Sequence, residues 1–216
     1  MLALKDNINF KGVPIADVKV KGINSCYRLY KINKQDDTFL YQLRNSIDLK
    51  KLMPNLNEDE YMCWGGIIEE SILHANFSKR ESLLETCDNK PCGIINFSKS
   101  SFDSYYLDYI VTFPIEVGKR VKCAGQILLN YLFQTVLDTN NNGIDLLALK
   151  YTPFNPISVY SKLGFWFDGG DNYTEDMSIG REGIKNALKK QKEFLDVTPI
   201  KKTKNINLGN VINLNT

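Results

Sequence analysis

The chain has 216 residues, 43% of them hydrophobic, which suits one core-bearing domain with appendages and requires no disulfide or metal staple. Its 27 Lys+Arg against 25 Asp+Glu leave a net charge of +2, which argues against a dedicated nucleic-acid binder relying on concentrated positive charge. The opening MLALKDNINFKGV has early charge and no apolar h-region, so it does not read as a signal peptide, and no apolar stretch approaches the ~18 residues of a membrane span. Cys26, Cys63, Cys87, Cys92 and Cys123 are irregularly spaced and odd in number, as reduced thiols of a cytoplasmic protein would be. Cys87 and Cys92 flank the turn Asp88-Asn89-Lys90-Pro91, where two free thiols are the preferred reading over a bridge. His74, the sole histidine, lies in a helical pattern with no nucleophile motif beside it, which discounts both a metal centre and a Ser-His-Asp site.

In chain order, residues 1–25 read as an N-terminal extension, punctuated by Gly12, Pro14 and Gly22, with room for a strand. Tyr27–Ile32 alternates as a strand does. Asp36 or Asp37 is placed to cap a helix with apolar positions Phe39, Leu40, Leu43 and Ile47, and a second helix carries Tyr61, Trp64, Ile68 and Ile72 at helical spacing. Ser82–Cys87 and Cys92–Phe97 predict a hairpin, and Tyr105–Phe113 a long strand stopped by Pro114. The clearest helix spans Ala124–Leu137. Its apolar face holds Ile127, Leu128, Tyr131, Leu132 and Val136, and Gln126, Asn130 and Gln134 form a polar stripe. Ile144–Leu149 is a near-continuous apolar run, read as a strand buried on both faces; strand, helix, strand implies a right-handed crossover and a parallel pair. Asn155, Pro156 and Gly164 punctuate a short helix as N-cap, first position and C-terminal stop. Aromatic strands run to about Ile179, residues 182–195 predict a surface helix, and the Asn- and Lys-rich tail after Pro199 reads as loosely held.

The chemistry concentrates where the long strand joins the amphipathic helix, at Pro114-Ile115-Glu116-Val117-Gly118-Lys119-Arg120-Val121-Lys122-Cys123-Ala124-Gly125. A turn opening a helix leaves backbone N–H groups without partners, and together with the positive helix end these cradle a pyrophosphate. Small residues at 123–125 allow close approach, and Lys119, Arg120 and Lys122 add charge. The competing reading is a solvated basic turn before an ordinary core helix.

This segment resembles the signature of the GNAT superfamily of N-acetyltransferases, Arg/Gln-x-x-Gly-x-Gly/Ala, matched by Arg120, Cys123 and Gly125. A second family motif is similar to Asn155-Pro156, Tyr160 and Lys162-Leu163-Gly164-Phe165. The resemblance covers roughly residues 26–180, leaving 181–216 as a C-terminal helix and polar tail. It implies an α/β (α+β) fold: a central mixed, mostly antiparallel sheet with a splayed parallel strand pair and helices on both faces. It further implies acetyl-CoA as cosubstrate, held by Val111, Thr112, Arg120, Val121, Lys122, Cys123, Ala124, Gly125, Asn155 and Tyr160. A backbone N–H near Val111 or Thr112 would polarise the thioester carbonyl, and Tyr160 would protonate the departing thiolate. The base is Asp108, Glu116 or a water chain. Asn155 serves as a cap or as a cofactor contact. Glu69 and Glu70 border the acceptor site, where the preferred reading is that they solvate a helix face.

Two departures from the family pattern are Cys123 in place of the central glycine and a longer link from Pro114 to Arg120. They motivate an alternative, a catalytically weak CoA-binding regulatory protein; a plain interaction domain is the third class. The expected partner is a small-molecule or peptide amine, with no nucleic acid or membrane, and the expected state a monomer or homodimer.

Overall fold

The computed structural model describes residues 8–76, 79–100, 102–115, 119–150, 155–200 and 210–212. Its main sheet has nine strands: β2 (Val13–Val20), β3 (Tyr27–Lys31), β4 (Arg80–Cys87), β5 (Lys90–Lys99), β6 (Tyr105–Thr112), β7 (Gly143–Leu149), β8 (Trp166–Gly170), β9 (Thr174–Gly180) and β10 (Leu195–Pro199). Their order is β10-β2-β3-β4-β5-β6-β7-β9-β8. A separate ladder joins β1 (Ile8–Phe10) to β11 (Asn210–Ile212). The helices are α1 (Asp37–Asn45), α2 (Leu49–Leu52), α3 (Glu58–Leu73), α4 (Ala124–Asp138), α5 (Ile157–Leu163) and α6 (Arg181–Gln191). The chain forms two compact units, one of residues 1–96, 109–128 and 195–216, the other of 97–108 and 129–194.

In the first unit, β2, β3 and β4 pair antiparallel, and β10 adds to the outer edge of β2 from Leu195↔Val20 to Pro199↔Ala16. The hairpin β4–β5 turns through Asp88 and Asn89, both at positive φ (50° and 64°), a two-residue turn tighter than the four-residue one expected. Phe39, Leu40 and Leu43 of α1 and Ile68 and Ile72 of α3 are buried, as their spacing predicts. Asn57 and Glu60 form a reciprocal capping box at the start of α3. Asp36 does not cap α1 with its side chain; its buried carboxylate accepts from the Lys11 and Asn33 N–H groups at 2.6 and 2.7 Å instead.

In the second unit, β6 and β7 run parallel, their ladder passing from Tyr105↔Ile144 to Leu107↔Leu146. β7 then pairs antiparallel with β9 along its whole length. The expectation that β7 is buried on both faces fails: burial alternates, and Leu147 is 47% exposed while Leu146 and Ala148 are buried. The polar stripe of α4 is likewise corrected at Asn130, which is buried and donates to Gln191 Oε1 of α6 at 2.8 Å. Arg181 at the head of α6 donates to the Leu137 and Asn141 carbonyls, so α6 is tied to the end of α4 at two places. Gly164 stops α5 in a left-handed conformation, φ 101°. The five cysteines are free.

Gly143 opens β7 directly against β9, where an added Cβ would lie 2.3 Å from the Ile179 carbonyl oxygen. Backbone cannot yield cheaply, so Gly143→Ala should destabilise by about 1–3 kcal/mol, read as a lower denaturation midpoint at unchanged m.

Candidate active site

The turn that opens α4 has an unusual backbone. Cys123 adopts φ +64°, a left-handed conformation that costs an L-residue about 1–2 kcal/mol and that glycine adopts freely. Its carbonyl accepts the Ile127 N–H at 2.9 Å, the first bond of α4. Cys123 therefore occupies the N-cap, and the N–H groups of Ala124 and Gly125 fall in the first turn, where a helix has no internal acceptor for them. The Lys119, Arg120 and Lys122 side chains are exposed, while Val121 and Cys123 are half-buried. A Cβ at Gly125 would meet only the Thr112 methyl, at 3.6 Å.

The turn is held from below. Tyr27 of β3, 1% exposed, donates its hydroxyl to the Lys122 carbonyl at 3.1 Å. Burial, with the neighbouring Cys87, Cys92 and Cys123, pushes that hydroxyl well above the ordinary tyrosine range. The pairs Tyr27↔Cys87 and Leu29↔Glu85 place Tyr27, Glu85 and Cys87 on one sheet face. Sequence reasoning did not single out Tyr27 or Glu85; each sits in a strand pattern that gives no sign of the turn before α4, which for Tyr27 lies 95 positions further on.

Just past the end of β6, the Phe113 N–H donates to the Cys92 carbonyl of β5 at 2.9 Å. Alternation along a strand then turns the Thr112 N–H to the opposite strand edge and the Val111 N–H toward β5. Glu116 lies outside the described residues.

In the second unit, Tyr160 of α5 is 7% exposed and packs on Phe165 with ring centroids 5.5 Å apart. Burial raises its hydroxyl above the ordinary value, so it stays protonated through neutral and alkaline pH. Asn155 is not the N-cap of α5: Pro156 takes that place without a side-chain cap bond, and Asn155, one residue earlier, accepts the Ile157 N–H on its Oδ1 at 3.0 Å. Asp108 is half-buried and accepts from Ser98 Oγ at 3.3 Å.

On α3 of the first unit, Glu69 approaches Arg44 at 3.7 Å, and Glu70 is bound to His74 Nδ1 at 2.7 Å with Arg80 at 3.7 Å. The Arg80 guanidinium lies over the Tyr109 ring of β6, 5.2 Å from its centroid. Glu70 and His74 thus belong to a paired cluster rather than to a merely solvated face. Among the described residues no group of three or more His, Cys, Asp or Glu is arranged to hold a metal, and no helix is long and apolar enough to cross a membrane.

No protein-family model matches this sequence, and no curated protein matches it. Solved structures do. The nucleotide-linked sugar GNAT FdhC aligns over 88% of this chain and 99% of its own, at TM-score 0.56 and 13% identity. The GNAT domain of S. lividans PAT aligns over 77% and 96%, at 0.54 and 12%. The PaiA N-acetyltransferase from Thermoplasma acidophilum, solved in complex with coenzyme A, aligns over 71% and 98%, at 0.51 and 17%. The mixed nine-stranded sheet with its single parallel pair is therefore the fold of the GNAT-family acetyltransferases.

Replacing Cys123 by glycine removes the left-handed penalty. Cys123→Gly should raise stability by about 1 kcal/mol, seen as a higher denaturation midpoint, while Cys123→Leu keeps the penalty and gives no gain.

Proposed function

We propose that this chain transfers an acetyl group from acetyl-CoA to an amine. The observation that carries the reading is the turn at Lys122–Cys123, which opens a fifteen-residue helix on the GNAT fold and presents first-turn N–H groups beside Arg120 and Lys122. Those residues fit a pyrophosphate, since Gly125 leaves the approach open and the helix end is positive. The coenzyme A seen in the PaiA enzyme supports the same ligand here. Bound, that ligand supplies the thioester as acyl donor.

The chain's own residues have distinct tasks in this reading. Arg120, Val121, Lys122, Cys123, Ala124 and Gly125 bind the pyrophosphate. Of the two donors on β6, strand alternation favours the Thr112 N–H over that of Val111 for polarising the acyl carbonyl. Tyr160 gives a proton to the leaving sulfur, a role its protonated state supports. Asp108 or Glu116 takes the proton of the amine, and Asn155 helps position Tyr160 by accepting the Ile157 N–H just ahead of α5. The acceptor is a primary amine, and the free thiols fit a reducing cytoplasm. Cys123, standing where the family motif has glycine, favours as second reading a CoA-binding protein with little turnover.

Calorimetric titration with acetyl-CoA should show binding and a raised melting temperature, because a ligand that binds only the native state stabilises it by mass action. No binding at millimolar ligand would overturn the reading. Release of free thiol with a panel of amines separates the enzyme from the second reading.

Tyr160→Phe should lower kcat by about 10²-fold or more while leaving acetyl-CoA affinity nearly unchanged, because the ring still packs on Phe165. A tyrosine that serves only the core predicts the opposite: a lower melting temperature with undiminished turnover per folded molecule.

A further inference from the structure

Glu85 lies in the middle of β4 with 0% of its surface exposed. Its one polar side-chain neighbour is the Cys92 thiol of β5, a weak donor, and no stronger donor reaches either carboxyl oxygen among the described residues. A carboxyl so placed is costly unless it is neutral, and nothing in the packing of the sheet calls for one. Room for it is made by Gly93 of β5, where an added Cβ would lie 3.4 Å from Glu85 Oε2 and 2.7 Å from Leu128 Cδ1 of α4. Its face of the sheet is the one from which Tyr27 reaches the Lys122 carbonyl.

We propose that Glu85 is a proton-sensitive floor beneath the phosphate loop: as the neutral acid it admits a pyrophosphate at the start of α4, and as the carboxylate it repels one. The inference rests on the phosphate-loop reading above. It turns on charge. The first turn of α4 attracts anions, and a second negative charge fixed under the same turn competes with the ligand for that field in a poorly solvated setting.

The titratable and charged groups around Glu85 come from every neighbouring element. Tyr27 stands on β3, Cys87 on β4, Asp88 in the turn, Cys92 on β5, and Lys122 and Cys123 at the start of α4; β6 contributes the Val111 carbonyl. Lys122, like Lys119 and Arg120 of the same loop, is exposed, so solvent screens its charge. Desolvation holds the Glu85 carboxyl well above the usual carboxylate range, and burial together with Glu85 itself raises the Cys92 thiol. The sign for stability follows. Because the folded-state value is raised, the stability Glu85 contributes is complete below the ordinary glutamate value of ~4.3 and is lost as pH climbs through the folded value.

The test is the pH profile of CoA affinity for wild type and Glu85→Gln, measured by titration calorimetry from pH ~6.5 to ~9.5. Ionisation of CoA and of the loop lysines is common to both proteins and cancels in the comparison. Wild type should lose about tenfold more affinity than Glu85→Gln across that range, and should take up more protons on binding at the alkaline end. Without ligand, the variant's melting temperature should fall less than wild type's as pH rises. Should Glu85→Gln not fold, Glu85→Leu removes the same charge at similar volume and is expected to give the same flattened profile. CoA binding with superimposable pH profiles would overturn this inference alone. Failure of wild type to bind CoA at any pH would overturn the phosphate-loop reading and this inference with it.

Discussion

The left-handed conformation at Cys123 is the constraint on which the proposed chemistry depends. A helix that opens at Ala124 leaves its first N–H groups without internal acceptors. One residue at φ +64° immediately precedes that helix, and the residue before it is held by the bond from Tyr27 to the Lys122 carbonyl. Changing that conformation would re-aim the first turn of α4. Glycine would take the conformation without strain. A cysteine there means the surrounding contacts over-determine the turn, and the cost is offset elsewhere in the fold.

Beneath the turn lies a polar layer that a purely structural sheet would not need. Tyr27, Glu85, Cys87, Cys92 and Cys123 influence one another's protonation, and burial pushes the tyrosine hydroxyl, the carboxyl and the three thiols all toward the neutral form. A neutral layer leaves the positive helix end uncompensated from below. The field of α4 is then available to an anion arriving from solvent.

Much of this architecture was legible in the residues. The 3.6-residue period of α4, the punctuation around α5 and the β-branched run of β6 are local signals, and each produced the predicted element within a residue or two. What could not be read depends on distant partners. Leu147 looks like a core residue until β9 fixes which face of β7 is covered. Asn130 looks like a surface residue until Gln191 of α6 arrives to satisfy it. Strand β10 was hidden because Leu195–Pro199 has a mostly exposed pattern and gains its place only by pairing with β2. The paired motifs at Arg120–Gly125 and Asn155–Phe165 pointed to the site, but the support from Tyr27 and Glu85 is a matter of strand register, which no local pattern records.

The pairing of β10 with β2 also has a consequence for biosynthesis. The two members of this ladder, Ala16–Val20 and Leu195–Pro199, are far apart in sequence, and β10 is made long after β2. During vectorial synthesis the outer rim of β2 therefore remains an open hydrogen-bonding template until Leu195–Pro199 has left the ribosome. While the residues between β2 and β10 are being made, the nascent chain carries an unpaired strand edge of the kind that invites pairing between neighbours on a polysome. Leu195–Pro199 closes that rim, so this edge of the sheet is completed only after the chain between β2 and β10 has been made.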